Sequence, residues 1–365
     1  MPKPKNYGIL VSLMNIDLFQ TLATEKKFRQ DQVYRAWFDV NTNSYEEITT
    51  LPKDLREKLK DKPWLSVRVH ALHESKRDNT KKALLKLSDD RLVEAVLMGR
   101  KNLKVEGGRD RYTICISSQV GCGMKCAFCA TGKAGFTRNL TVEEIVDQYR
   151  FWQKYLSDNK IDGEIDNMVI MGQGEPLLNY ENIKTAIAII LKNTEIGPSK
   201  ITISTAGIKA GMEKILTDEN FPPVRVAISL HSAIEQTRKQ IVPSHSSGFL
   251  EWLPKWAEKY HKKFGSRAHF ISLEYVMLAG VNDDEKHLKA LATLAAKLGH
   301  IKINLIPWNE LPFTQSPAKK IKGSPESTIK NWQDKLMQKG FVCTIRHSQG
   351  QDISAACGQL AGEKK

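Results

Sequence analysis

From residue 112 onward the sequence alternates strand-like and helix-like stretches six times, and few folds accommodate that order. The first pairs are "YTICISS" with "TVEEIVDQYRFWQKYL", "IDNMVIMG" with "NYENIKTAIAIILKN", and "KITISTAG" with "AGMEKILTDE". They continue as "VRVAISLHS" with a helix over 249–264, "FISLEYVMLAG" with "DEKHLKALATLAAKLG", and "IKINLIPW" with "PESTIKNWQDKLMQKG". Thr141 and Glu144 form a capping-box pattern at the start of the first of these helices. Serial βα units with right-handed crossovers make an α/β fold on a parallel sheet, either open and doubly wound or curled into a full or partial barrel. Both arrangements gather function at the C-terminal ends of strands. "GQGEP", "STAG", "SLHS" and "PWN" all fall there, and a cysteine-rich loop follows the first strand.

The first hundred residues have a different texture. "NIDLFQTLATEKKFRQDQVYRAWF" and "SYEEITTLPKDLREKLK" carry helical spacing of apolar positions. "WLSVRVHALHES" and "KKALLKLSDDRLVEAVLMGR" read as short strands and turns, and "KNLKVEGGRDR" as a polar loop. The expected organisation is a helical accessory module over 1–70, a β connector and loop over 71–111, and the main domain over 112–365.

The loop "GCGMKCAFCATG" places Cys122, Cys126 and Cys129 within eight positions. A structural zinc wants four protein ligands, as does an all-cysteine ferredoxin cluster. The other three cysteines, Cys115, Cys343 and Cys357, complete no second CxxC. Three thiolates around one face of a 4Fe-4S cubane leave its fourth iron free to chelate a small molecule through an amine and a carboxylate, a pair that S-adenosylmethionine (SAM) carries. Gly121, Gly123 and Ala127 leave room for such a cluster. A rival reading is a noncatalytic RNA-binding protein whose triplet holds zinc with an outside ligand.

The opening twenty residues contain only a short apolar patch, broken by Asn15 and Asp17, so neither a signal segment nor a membrane span is expected. A reducing, cytoplasmic setting follows, in which cysteines are metal ligands or catalysts rather than disulfide staples. The net charge of +14 would attract polyanions if the basic residues share a face. Lys and Arg interleave with aromatics in "WLPKWAEKYHKKFGSRAHF", and basic clusters recur at "ESKRDNTKK" and "AKKIKG".

The spacing Cys122-x3-Cys126-x2-Cys129 after a first strand resembles the radical SAM superfamily. Further stretches, "CISSQVGC", "TRNLT", "GEPLLN", "ISLHS", "IVP", "EYVMLAGVND", "INLIPWN" and "DISAACGQLAG", resemble its RlmN branch of dual-specificity RNA adenine-C2 methyltransferases. "FRQDQVYRAWF" and "LPKDLREKL" match that branch's leading helical module. The resemblance implies a partial (β/α)6 TIM-like barrel with a small N-terminal helical accessory domain. It also implies one 4Fe-4S cluster, two SAM per turnover, and 23S rRNA and the tRNA anticodon loop as substrates. An electron donor such as flavodoxin or ferredoxin and a monomeric chain complete the expectation.

In that family a cysteine matching Cys357 takes a methyl group from one SAM. A second SAM, cleaved at the cluster, yields a radical that removes hydrogen from the S-methyl group, and the methylene radical adds to adenine C2, joining protein to RNA. C2 has no lone pair, so ordinary attack on a SAM methyl cannot work there. A glutamate matching Glu94 takes the C2 proton, and a cysteine matching Cys115 releases the product by forming a disulfide with Cys357. SAM contacts are expected at Gly174, Glu175, Ser204, Ser229, Leu230, His231 and Asn309. Without the resemblance, Cys115 reads as a small buried filler, Cys357 as structural, and His231 as a satisfied strand-end residue. Cys343 reads as core, Asn179 as a helix N-cap, and Gln173 stands where the family has methionine. The Cfr-type relatives methylate adenine C8 and confer antibiotic resistance. They tend to replace the Pro of "GEPLLN" and the Trp of "PWN", so the resemblance favours C2.

Overall fold

The computed structural model describes residues 18–100, 110–265, 269–311 and 321–360. Most of the expected loop over 101–111 lies outside them, as do the opening apolar patch, Lys319 and Lys320 of "AKKIKG", and the last two residues of "GQLAG". The chain packs as two units, one up to Trp64 and one from Leu65 onward.

The first unit is helical, with α1 (Leu18–Ala23), α2 (Lys27–Trp37) and α3 (Lys53–Leu59). It buries Leu22, Val33, Trp37, Leu51, Leu55 and Leu59, and the Tyr45 ring meets Trp64 edge-on at 5.0 Å.

The second unit is built on a ten-stranded sheet. β1 (Arg68–Glu74), β2 (Thr80–Lys86), β3 (Leu92–Arg100) and β4 (Asp110–Cys115) form an antiparallel meander. A small hairpin of β5 (Gln119–Gly121) and β6 (Phe136–Asn139) brackets the cysteine loop and α4 (Ala130–Ala134). Then follow α5 (Val142–Asp158), β7 (Gly163–Ile170), α6 (Tyr180–Asn193), β8 (Ile201–Thr205), α7 (Lys209–Thr217), β9 (Arg225–Ser229) and the short α8 (Glu235–Ile241). The chain continues through α9 (Phe249–Phe264), β10 (Ile271–Met277), α10 (Glu285–Ala296), β11 (Ile301–Pro307), α11 (Glu326–Gln338) and β12 (Val342–Ile345).

From β4 to β12 all neighbours run parallel, and each new strand joins the same side of the sheet. A doubly wound sheet reverses its order at a switch point. This one does not, so with right-handed crossovers its helices cover one face and leave the other as the barrel interior. β12 is a seventh parallel strand beyond the six expected, and the fourth unit carries α8 as well as α9.

The Thr141 capping box forms: Thr141 Oγ1 accepts from the Glu144 amide at 3.3 Å, and Glu144 Oε2 accepts from the Thr141 amide at 2.9 Å. α5 then buries Ile145, Tyr149, Trp152 and Leu156 along one stripe. Thr141→Ala is expected to cost about 1 kcal/mol, readable as a lowered midpoint in urea. Asn179 precedes α6 but does not cap it. Its amide instead donates to the carbonyls of Ser118 at 2.9 Å and Leu140 at 2.8 Å, lashing the first strand-end loop in place.

The basic-aromatic stretch on α9 also differs from a nucleic-acid stacking surface. Trp256 and Tyr260 are buried and stacked at 5.0 Å, their polar atoms bonded to the carbonyls of Met212 and Val224. Among the described residues no helix is long and apolar enough to cross a membrane.

Candidate active site

The cysteine loop leaves β5 through Gly121, whose φ of +74° places a would-be Cβ against the Gly135 carbonyl. The Cys122 amide donates to Gly135 at 2.8 Å, and the Ala127 amide to Ile241 at the end of α8 at 2.9 Å. Ser244 Oγ donates to the Met124 carbonyl at 2.9 Å. Cys122 is buried, and Cys126 packs with it against Ala206, Ile241 and Val242. Burial pushes the Cys122 thiol up to about 11, with the Cys129 and Glu175 charges adding to the rise. Cys126 is pushed up further by burial and by the charges of Cys129 and Cys122, so the three sulfurs share one neighbourhood.

Those thiols are free. Among the described residues no three His, Cys, Asp or Glu side chains converge on a point that could hold one metal ion. Convergence is what a mononuclear zinc asks for, whereas each cysteine of a cubane binds a different iron.

The strand ends meet this loop. Gly174 has φ +108°, and a Cβ there would lie 2.6 Å from Ser118 Oγ, so only glycine fits. Glu175 is buried and accepts from the amides of Leu177 at 3.1 Å and Ala206 at 2.7 Å. Burial pushes its carboxyl up to about 7 against those hydrogen bonds. Ser204 and Ser229, at the ends of β8 and β9, lie 3.1 Å apart through their hydroxyls. The Leu230 and His231 amides both bond to the Glu274 carbonyl. His231 has φ +57°, its Nδ1 accepts from the Val276 amide at 3.1 Å, and its ring meets Phe128 edge-on at 4.6 Å. Burial lowers its pKa to about 3, so it is a neutral, satisfied strand-end residue that also braces the cysteine loop.

Gln173 is buried, and its Oε1 has no partner within the protein. An orphaned buried acceptor beside Gly174 and Glu175 is what a ligand with a donor group would satisfy. With three free thiols nearby, the residues present fit a cubane and SAM.

The C-terminal segment closes the site. The Gly358 carbonyl accepts from the Ala130 amide at 2.7 Å and the Leu360 carbonyl from Thr131 Oγ1 at 2.5 Å, so the segment is pinned to the cysteine loop. Its other end is held by the β1–β2 turn, where Asp352 accepts from Ser75 Oγ and the Lys76 amide and Asp78 accepts from the Gly350 amide. Part of the basic cluster "ESKRDNTKK" is therefore an anchor for this segment. Between these ties Ala355 and Leu360 pack with Val96, Met98 and Cys115. Burial pushes the Cys115 thiol up to about 12, and the Cys357 charge adds to the rise. Cys357 itself is exposed. Asn309 donates to the Cys357 carbonyl at 3.0 Å and accepts from Gln351 at 2.9 Å, so it orients the cysteine. Glu94 on β3 is buried and ion-paired to Lys82 at 2.9 Å.

Sequence reasoning missed five residues here. Arg238 is fully buried and donates to the carbonyls of Ala206, Ser229 and Leu230, clamping two strand ends. Arg346 donates to Glu274 at 3.4 Å and lies where the charges of Cys357 and Cys115 reach it. Glu274 also accepts from Asn304 at 2.7 Å. Polar Glu274 and Asn304 inside apolar strands were a usable signal, and Arg346 follows a strand that went uncounted. Lys82, one of several lysines in a basic run, carried none.

The radical SAM superfamily model matches residues 116–292. A radical SAM methyltransferase from Sphaerobacter thermophilus is similar over 95% of this chain and 97% of its own, with 31% identity and a TM-score of 0.80. A domain of pyruvate-formate lyase-activating enzyme from Bacteroides vulgatus covers 48% of this chain and 95% of its own at 20% identity and TM-score 0.36. SuiB from Streptococcus suis, bound to S-adenosylmethionine, covers 67% and 55% at 13% identity and TM-score 0.45. The family implies a 4Fe-4S cluster and SAM, to which the three free thiols answer. With 31% identity sustained over nearly the whole of both chains, this chain belongs to the radical SAM superfamily and is a SAM-dependent methyltransferase.

Proposed function

We propose that this methyltransferase acts on C2 of an adenine in folded RNA, with 23S rRNA and the tRNA anticodon loop as substrates, and carries the methyl group on Cys357. The observation that carries the reading is the docking of the Cys357 segment between Cys115 and the cysteine loop. A methyl-bearing sulfur must be near SAM to be loaded and near a second thiol to be released.

In this reading Cys122, Cys126 and Cys129 hold the cluster. When bound, it would supply the single electron that cleaves SAM homolytically. Gly174 and Glu175 receive the methionine end of SAM, Ser204 and Ser229 to His231 line its nucleoside end, and Asn309 orients the Cys357 loop beside it. Glu94 accepts the C2 proton at its carboxylate. The Cys115 thiolate attacks the Cys357 sulfur: the S–S bond forms as the carbon–sulfur bond breaks, and the electron pair leaves with the methylene carbon, which takes up a proton to become the methyl group. An external dithiol reductant restores both cysteines. The net charge of +14 supports binding through RNA phosphates, with the target base turned out of its stack.

Mass spectrometry of digested RNA from cells with and without the protein tests the reading. C2-methyladenosine is expected to disappear with the protein; loss of C8-methyladenosine instead, or no change, overturns it.

A further inference from the structure

The β2–β3 register sets Lys82 opposite Val96, and the β3–β4 register sets Val96 opposite Cys115. Directly opposed residues share a face, and Glu94, two positions from Val96, shares it too. Lys82 is nearly as buried as Glu94, with relative exposures of 8% and 4%. Its ammonium lies 2.9 Å from Glu94 Oε1 and donates to the Ser354 carbonyl at 3.3 Å. Ser354 stands three residues before Cys357 and has φ +52°, a left-handed conformation that a non-glycine residue keeps only under restraint.

We propose that Lys82 is a charge-dependent latch: held in place by the Glu94 carboxylate, it grips the Ser354 carbonyl and docks the Cys357 segment on the sheet face that carries Cys115. The assignment rests on the roles given above to Glu94 and Cys357. Replacing a buried ion pair by apolar residues of similar volume is often neutral or stabilising, so packing alone does not call for a Lys–Glu pair here. Its value lies in being switchable. A proton arriving on Glu94 neutralises the charge that fixes Lys82, and the segment loosens when Cys115 has to reach the Cys357 sulfur. The other titratable groups on this side are His73, opposite Lys82 on β1, Cys115 on β4, and Arg346 beside the two cysteines.

Amide hydrogen exchange over 350–357 in the cluster-free protein reads the latch without any turnover. Exchange is expected to rise about tenfold or more in Lys82→Met, as loss of a charged hydrogen bond implies. It is expected to rise similarly in Glu94→Gln, the neutral mimic of the protonated acid, no further in the double variant, and to stay near wild type in Lys82→Arg. In the loaded enzyme, Lys82→Met is expected to raise the ratio of SAM cleaved to RNA methylated, and Lys82→Arg to restore it; an unfolded variant would lose both products together. Wild-type exchange in both Lys82→Met and Glu94→Gln overturns the latch. Failure of the wild type to make C2-methyladenosine sinks the function reading instead and leaves the exchange result standing.

Discussion

On the proposed adenine-C2 reading, Cys115→Ala protein exposed to substrate RNA and SAM is expected to carry that RNA through denaturing electrophoresis, joined at Cys357. Without Cys115 nothing attacks the thioether sulfur, so the step that frees the product has no nucleophile. The shifted band is expected to vanish in the Cys115→Ala/Cys357→Ala double variant; clean release of methylated RNA by the single variant removes Cys115 from the mechanism. The thiol environment adds a sign. Burial holds Cys115 at about 12, far above neutrality, so its reactive thiolate grows about tenfold for each pH unit below that value. Wild-type release is therefore expected to quicken steadily as pH rises from neutral into the alkaline range.

The second large effect belongs to the cysteine loop. Cys126→Ala is expected to abolish the bound iron and the absorbance at about 400 nm that a thiolate-ligated cluster gives, and with them all reductive cleavage of SAM. Two thiolates cannot hold the cubane open at one iron, so no partial activity is expected. Cys343→Ala is the control: Cys343 is buried on β12 and is no part of the CxxxCxxC triplet, and its loss is expected to leave iron content unchanged. A wild-type chain that stays colourless after anaerobic supply of iron and sulfide would mean that the triplet holds something else.

Much of this architecture was legible in one dimension. Apolar runs bounded by glycine and by helix caps gave the six strand–helix pairs, because a strand buried on both faces and a helix buried on one stripe leave different periods. β12 escaped because it is four residues long and only its Cys343 is fully buried. α9 misled for a related reason: helical periodicity puts Trp256 and Tyr260 on one stripe, and interleaved lysines conceal that the stripe faces inward. Asn179 had an N-cap's composition and position, yet two carbonyls from distant loops offered its amide better partners.

The residue triplet pointed to a cubane with one open iron, and the βα order to the strand ends where chemistry gathers, since ligand count and strand direction are local properties; the superfamily entered through the resemblance of the motifs. Only the folded chain decided which distant groups meet. Cys357 comes to lie by Cys115, Lys82 joins Glu94 to Ser354, and Arg238 clamps two strand ends, through contacts between residues up to hundreds of positions apart. Such contacts depend on sheet register and on the path of the C-terminal segment, and no spacing along the sequence encodes either.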